Sequence, residues 1–446
     1  MTRPLRPHPK GWPVVTLEPS PDAGFVLLAA SGSTPDTGAA ECWGGSIPWL
    51  TPKEVASRPS FRYVVGSERT ISLPGLKQAG RLWEPGSVML TKRAPVGVPV
   101  INRVAMATNQ GFLNFTCGVK LMPEYLYWWL LANTPYLEAV ANGSTYPELY
   151  VGDLFELEMP VPTLLAQQGI AYALGIIDDK IELNRRLSKT LEAMARMLFR
   201  SWFVDFDPVR AKAEGRDAGL PQVLADLFPN SFEDSDLGEI PRGWNVRPLR
   251  DLTSYFSRGI GPAYIKSGGI CVLNQKCLRD QRIDFSIARR HNQAKRPTGE
   301  RLLHRLDVLV NSTGVGTLGR AAQVWHLPEP SIVDSHMTVL RAAPDVDPWF
   351  FGVGLTGREA ELEALGEGST GQTELSRGRL GDLLCLVPPN EVQKQFGLAA
   401  SQLLERLSSA QRESATLAAL RDTLLPKLIS GELRVKNLER LVAEVA

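Results

Sequence analysis

The side chains best suited to meeting a polyanion gather between Lys276 and Arg305. That segment holds Lys276, Arg279, Arg282, Arg289, Arg290, Lys295, Arg296, Arg301 and Arg305 against Asp280, Asp284 and Glu300, a net of +6 in 30 residues. Basic groups at this density contact phosphates, with an affinity that falls as salt rises. Amide and hydroxyl clusters flank the segment: Asn274-Gln275-Lys276, Asn311-Ser312-Thr313 and Arg320. Such groups pair with adenine edges or reach phosphate oxygens. The first half offers Thr91-Lys92-Arg93 and Asn109-Gln110 at related positions, and Ser144-Thr145-Tyr146 finds a counterpart in Ser369-Thr370. Each cluster alone is also ordinary turn chemistry, but the set predicts a DNA-binding surface.

Other chemistries fail on their own requirements. Gly314-Val-Gly-Thr-Leu-Gly319 has dinucleotide-loop spacing, but Arg320–Trp325 alternates apolar and polar where a phosphate-binding helix is needed, so a hairpin turn is expected. Arg320 and Ala321 stand where a Walker loop requires Lys and Ser or Thr. There is no Asn/Asp-Pro-Pro-aromatic or Pro-Cys methyltransferase loop, no metal-ligand grouping among the five His, and no nucleophile elbow. Asp178-Asp179-Lys180 reads as solvent-facing charge on a helix. The sequence therefore predicts no catalysis and no cofactor or metal in this chain.

The elements that must position these clusters come in two sets. With 446 residues, 43% of them apolar, the chain can bury several cores, and a net charge of +1 leaves polyanion binding to local patches. Five Cys form no disulfide framework, and no apolar run is long enough for a membrane helix or a signal core, so a cytoplasmic chain is expected. Five landmarks then recur in order at offsets of 220 to 232 residues. GWPVVTL from Gly11 returns as GWNVRPL from Gly243, GSIPWLT from Gly45 as GGICVLN from Gly268, and GSVMLT from Gly86 as LDVLVNS from Leu306. NGSTYPEL from Asn142 returns as EGSTGQTEL from Glu367, and Pro160 with Pro162 as Pro388-Pro389. A repeat of this length means duplicated domains.

After each proline pair the texture becomes helical for about 40 residues, or about 60 Å. Ile170, Leu174, Ile177, Ile181, Leu187, Leu191, Met194 and Leu198 step by threes and fours, as do Leu403, Leu407, Leu417 and Leu424. That is the rhythm of a coiled-coil seam, and two such stripes bury most simply on each other. Between the first helix and the second globular half, Asp205–Arg242 reads as a linker with one brief helix at Val223–Phe228.

GSTPDT, WGGSIPWLTPKEV, GSTYPEL, DDKIELNRRLSKTLEAMARMLFRSWFVDFDPVRAK and LRDTLLPKLISGELRV together resemble the specificity (S) subunit of type I restriction-modification systems, over nearly the whole chain. The resemblance implies an α+β architecture. Two similar α/β target recognition domains are separated by a long antiparallel two-helix coiled coil, with a pseudo-twofold internal repeat. The expected boundaries are 1–162 and 243–389 for the recognition domains, 163–206 and 390–432 for the helices, 207–242 for the linker and 433–446 for a tail. It also implies double-stranded DNA, two methyltransferase subunits and restriction subunits as partners, with S-adenosylmethionine held by the methyltransferase. A scaffold carrying two protein-binding modules is the other reading the sequence allows.

Overall fold

The computed structural model describes residues 11–57, 62–143, 147–367 and 373–434. They divide into two compact units, Met1–Asn184 with Glu413–Ala446, and Arg185–Arg412. In the first unit the chain forms β1 (Val14–Thr16), β2 (Val26–Ser31), β3 (Trp43–Leu50), β4 (Tyr63–Val64), β5 (Arg69–Ile71), β6 (Val88–Thr91), β7 (Pro99–Asn102), β8 (Ala107–Thr108), β9 (Phe112–Cys117) and β10 (Glu158–Pro160). One sheet runs β2-β9-β6-β7-β4, a second β5-β3-β8, and β1 pairs with β10.

The central strands read as continuous apolar runs because both faces are covered. Val88, Leu90, Leu113 and Phe115 point into a core that includes the helix Pro123–Ala132, while Met89, Val100 and Phe112 point into another with Leu50 and Trp83. Each such side chain contributes about 1.5–3 kcal/mol over its exposed state.

The second unit contains β11 (Phe232–Ser235), β12 (Gly238–Pro241), β13 (Asn245–Pro248), β14 (Thr253–Arg258), β15 (Tyr264–Ile265), β16 (Ile270–Leu273), β17 (Leu278–Arg279), β18 (Arg282–Ile283), β19 (Arg289–His291), β20 (Val308–Asn311), β21 (Ala321–Gln323), β22 (Ser331–Val333), β23 (Met337–Ala342) and β24 (Leu384–Val387). Its sheets run β14-β23-β20-β21 and β15-β19-β16-β22, and β13 pairs with β24. This is the first unit's topology again. β2-β9-β6-β7 corresponds to β14-β23-β20-β21, all antiparallel, and β5-β3-β8 to β19-β16-β22, with the last pair parallel in both. Even the register irregularity recurs, at Val26/Leu28 and at Thr253/Tyr255. The Gly314–Gly319 segment joins the antiparallel strands β20 and β21, as the alternation after it predicts.

Two 40-residue helices, Leu164–Phe203 and Asn390–Ile429, are each shared by the two units. A buried glutamine anchors the start of both. Gln167 Nε2 donates to the Pro162 carbonyl (3.0 Å) and its Oε1 accepts from Met122 N, while Gln393 Nε2 donates to the Pro388 carbonyl (2.7 Å) and its Oε1 accepts from Asp347 N. Inside the first unit the helices run antiparallel, with Asp178 against Arg421 (2.9 Å) and Asn184 against Glu413 (2.8 Å). Inside the second they do so again, with Phe199, Trp202 and Phe203 packed on Phe396.

The buried stripe differs from the sequence reading. Ile170 and Leu174 are buried in the core and Leu191 and Leu198 pack partly buried against it, while Ile177, Ile181 and Leu187 are half-buried; Met194 is 45% exposed and Ala195 takes its place at 1%. In the middle of the helix the buried positions are Asp178, Asn184, Ser188 and Ala195, and the larger apolar side chains of Leu187 and Met194 each lie one residue before a smaller buried one. On the second helix Leu407 is fully buried, Leu404 is buried more deeply than Leu403, and Leu417 and Leu424 are half-buried. Asp178, expected in solvent, is buried against Arg421. The stretch read as a linker carries two helices, Asp207–Ala213 and Gln222–Ala225, and the β11–β12 hairpin. Phe206, Val209 and Phe228 are buried there against Trp202 and Trp244. Among the described residues no helix is long and apolar enough to cross a membrane.

Candidate nucleic-acid interface

The polar clusters sit where the central strands end, and the loops there are tied together by the same bonds in both units. β3 and β16 end at Leu50 and Leu273, whose carbonyls accept from Asn109 N (3.2 Å) and Asp334 N (2.9 Å). Asn109 and Asp334 each use Oδ1 to accept the backbone N–H two residues on, from Gly111 (2.9 Å) and His336 (3.0 Å). β6 and β20 end at Thr91 and Asn311, and the next N–H, of Lys92 or Ser312, donates to the carbonyl of Gly111 (2.7 Å) or His336 (2.8 Å). The carbonyls of Lys92 and Ser312 in turn accept from Leu149 N (3.0 Å) and Leu375 N (2.8 Å). Where β2 and β14 leave the sheet, Gly32 and Gly259 pass so close that a Cβ would lie 1.9 Å from the Thr108 carbonyl oxygen and 2.1 Å from that of Asp334. Only glycine fits there.

On this common frame the side chains differ. In the second unit Gln275 Nε2 donates to Thr313 Oγ1 (2.5 Å), which also meets His336 Nδ1 (2.8 Å). Two clusters apart in sequence thus form one polar face, joined by a histidine that sequence reasoning missed. Asn274 closes its own turn by accepting from Lys276 N (2.9 Å), and Lys276 is exposed. Burial raises the Asp334 carboxyl above the ordinary carboxylate range, against the pull of the His336 N–H. In the first unit Arg93 and Lys92 reach Glu148 at 3.4 and 3.7 Å, and exposed Gln110 accepts from Thr34 Oγ1 (2.6 Å). Thr34 and Glu148 lie in the GSTPDT and GSTYPEL motifs, whereas no sequence motif marks His336.

Several expected contacts are corrected. Thr91, Asn311 and Ser312 are wholly buried. The Thr91 hydroxyl accepts from Val98 N, Asn311 Nδ2 donates to the Gln275 carbonyl, and Ser312 Oγ meets Thr338 Oγ1, so these three shape the edge from inside. Arg320 is spent on the carbonyls of Leu278 and Gly316. Ser144, Thr145, Tyr146, Ser369 and Thr370 lie outside the described residues. The basic segment is also less free than its sequence suggests. Arg282 pairs with Glu192 (2.9 Å), Arg290 with Glu329 (2.6 Å) and Arg305 with Glu405, all carboxylates outside the segment. Arg289 keeps no carboxylate partner among the described residues and lies over the Tyr264 ring. No group of three His, Cys, Asp or Glu among the described residues is placed to hold a metal ion.

Residues 23–193 match the family model described as the type I restriction modification DNA specificity domain. The matched residues contain the whole first loop edge, from Gly32 through Thr91-Lys92-Arg93 to Glu148, while the bond set repeated in the second unit lies beyond them. The chain is similar to the type I restriction enzyme MjaIX specificity subunit of Methanocaldococcus jannaschii, 29% identical over 442 residues, covering 96% of this chain and 95% of that one. It is also similar to the HindI specificity subunit of Haemophilus influenzae, 25% identical over 366 residues, 70% of this chain and 78% of that one. The crystal structure of a type I restriction-modification S subunit from M. genitalium shares the fold, with a TM-score of 0.60 at 16% identity over 96% of this chain and 99% of that one.

Proposed function

We propose that this chain is the DNA specificity subunit of a type I restriction-modification complex and is itself non-catalytic. Each unit reads one half of a split, asymmetric site with the loop edge at the ends of its central strands. The observation that carries this reading is one hydrogen-bonded frame built twice in one chain and dressed with different side chains, Arg93 and Gln110 in one copy, where Lys92 is buried against Glu148, and Gln275, Thr313 and His336 in the other. Identical frames give equivalent docking, and different side chains give different bases. The paired long helices, as a two-helix coiled coil, set the number of unread base pairs between the half-sites and hold two methyltransferase subunits, which supply S-adenosylmethionine chemistry. Restriction subunits join that assembly in the nuclease.

Methylome sequencing of cells expressing the chain with its neighbouring methyltransferase tests this. A bipartite motif of two unlike half-sites around a fixed spacer is expected. A palindrome, or no new methylation together with no duplex binding by the purified complex, would reject the reading.

A further inference from the structure

Two arginines far apart in sequence occupy the same place in the two units. Arg69 on β5 lies opposite Trp49 of β3, and Arg289 on β19 lies opposite Val272 of β16. Trp49 and Val272 are counterparts, because the residue after each, Leu50 or Leu273, accepts the equivalent bond from the neighbouring parallel strand. Two residues beyond each arginine, Ile71 pairs with Trp43 and His291 with Tyr264. Each arginine lies over the ring so placed: the guanidinium carbon is 3.5 Å from the Trp43 centroid and 3.4 Å from that of Tyr264.

Both arginines are exposed, and neither is paired with a carboxylate among the described residues, unlike Arg282, Arg290 and Arg305. A guanidinium seated on a ring keeps its plane and rotamer, so little freedom is lost when its in-plane N–H fork takes a bidentate oxyanion. Both seats adjoin the reading edges. Trp49 Nε1, beside Arg69, donates to the Ser33 carbonyl (3.1 Å) next to Thr34, and Arg289 acts electrostatically on Asp334, which orders His336. The loop side chains differ between the units while this device is the same, which suits a ligand feature that does not vary with sequence.

We propose that Arg69 on Trp43 and Arg289 on Tyr264 are matched seats for DNA backbone phosphates, one per unit, that fix each reading edge on the duplex without reading a base. The proposal rests on the specificity reading above.

The test uses the full chain assembled with its methyltransferase. Two duplexes serve as probes, one carrying the motif found by methylome sequencing and one of random sequence and equal length, each titrated at several salt concentrations. Arg69→Gln and Arg289→Gln should each weaken binding to both duplexes roughly tenfold. Each should also lower the slope of log affinity against log salt by about one, with the methylated motif unchanged. Trp43→Leu and Tyr264→Leu keep the charge and remove the platform, and should give a smaller loss on both duplexes with the slope retained. Unchanged affinity and slope in the arginine variants would overturn the seats, and so would a changed half-site, which would make them base readers. Loss of the methyltransferase from the complex with DNA slopes intact would also overturn them and assign the arginines to a protein carboxylate. A wild-type complex that binds neither duplex would instead overturn the specificity reading, and the seats with it.

Discussion

Gln275 and Thr313 are 38 residues apart in the chain and 2.5 Å apart in space, with His336 closing the group. Their alignment depends on buried neighbours that never face a ligand, since Asn311 Nδ2 holds the Gln275 carbonyl and the Ser312 hydroxyl meets Thr338. Removing the histidine side chain by His336→Ala frees the Thr313 hydroxyl. If the second unit reads one half-site as proposed, that half-site should then relax by about 1–3 kcal/mol of base discrimination, with the other half-site unchanged. Competition binding with single-base variants of the methylated motif checks this. Asn311→Ala belongs to a different class: it removes a buried bond and should cost about 1–3 kcal/mol of stability, read by denaturant unfolding, before any question of binding arises. Sequence alone named Gln275, Asn311, Ser312 and Thr313 together, because their types are what DNA readers need. Which of them points inward is decided by strand alternation against two cores, which their types do not reveal.

The long helices bury a few polar residues, and that has a measurable cost. Asp178 and Arg421 are 9% and 14% exposed at their side chains and form a buried ion pair. Breaking it by Arg421→Ala strands the carboxylate and should destabilise the first unit by about 3–5 kcal/mol. Burial already raises the Asp178 carboxyl, outweighing the opposing pull of Arg421 and Arg62. A carboxyl raised in the folded state holds its proton more tightly there than when unfolded. Its stabilising contribution is therefore present below the ordinary carboxylate range and is lost as pH rises through the folded value. Without Arg421 that decline should extend to higher pH, which unfolding curves collected across the acidic range would show. Asn184, bonded to Glu413 within the stripe, acts as a register pin of the kind a buried polar residue supplies between paired helices. Deleting seven residues from both helices preserves the phase of the stripe. It should change the spacer of the methylated motif while leaving both half-sites intact, and sequencing of methylated sites checks it. The apolar rhythm made the helices legible. It pointed to Leu187 and Met194, however, where Ser188 and Ala195 are the more buried, because which residues of a stripe meet the core is set by packing against other elements and not by hydrophobicity alone.

At the scale of the whole molecule the duplication decides what can be exchanged. Replacing residues 243–389 by the corresponding segment of a related specificity subunit should change one half of the methylated motif and leave the other half and the methyltransferase assembly in place. Methylome sequencing, with co-purification of the methyltransferase, reads both. The recurrence of GW, GST and proline landmarks, the two helices and the absence of catalytic motifs were all legible from the chain alone. They are encoded locally, in side-chain periodicity and in motifs a few residues long. Tertiary structure decided the electrostatics. Arg290, Arg282 and Arg305 are neutralised by carboxylates 39, 90 and 100 residues away, and the Arg69 and Arg289 seats become visible only when two sheets are laid out strand by strand. A charge's partner is chosen by the packing of distant elements, so a local sum of charges describes a segment without describing the surface it forms.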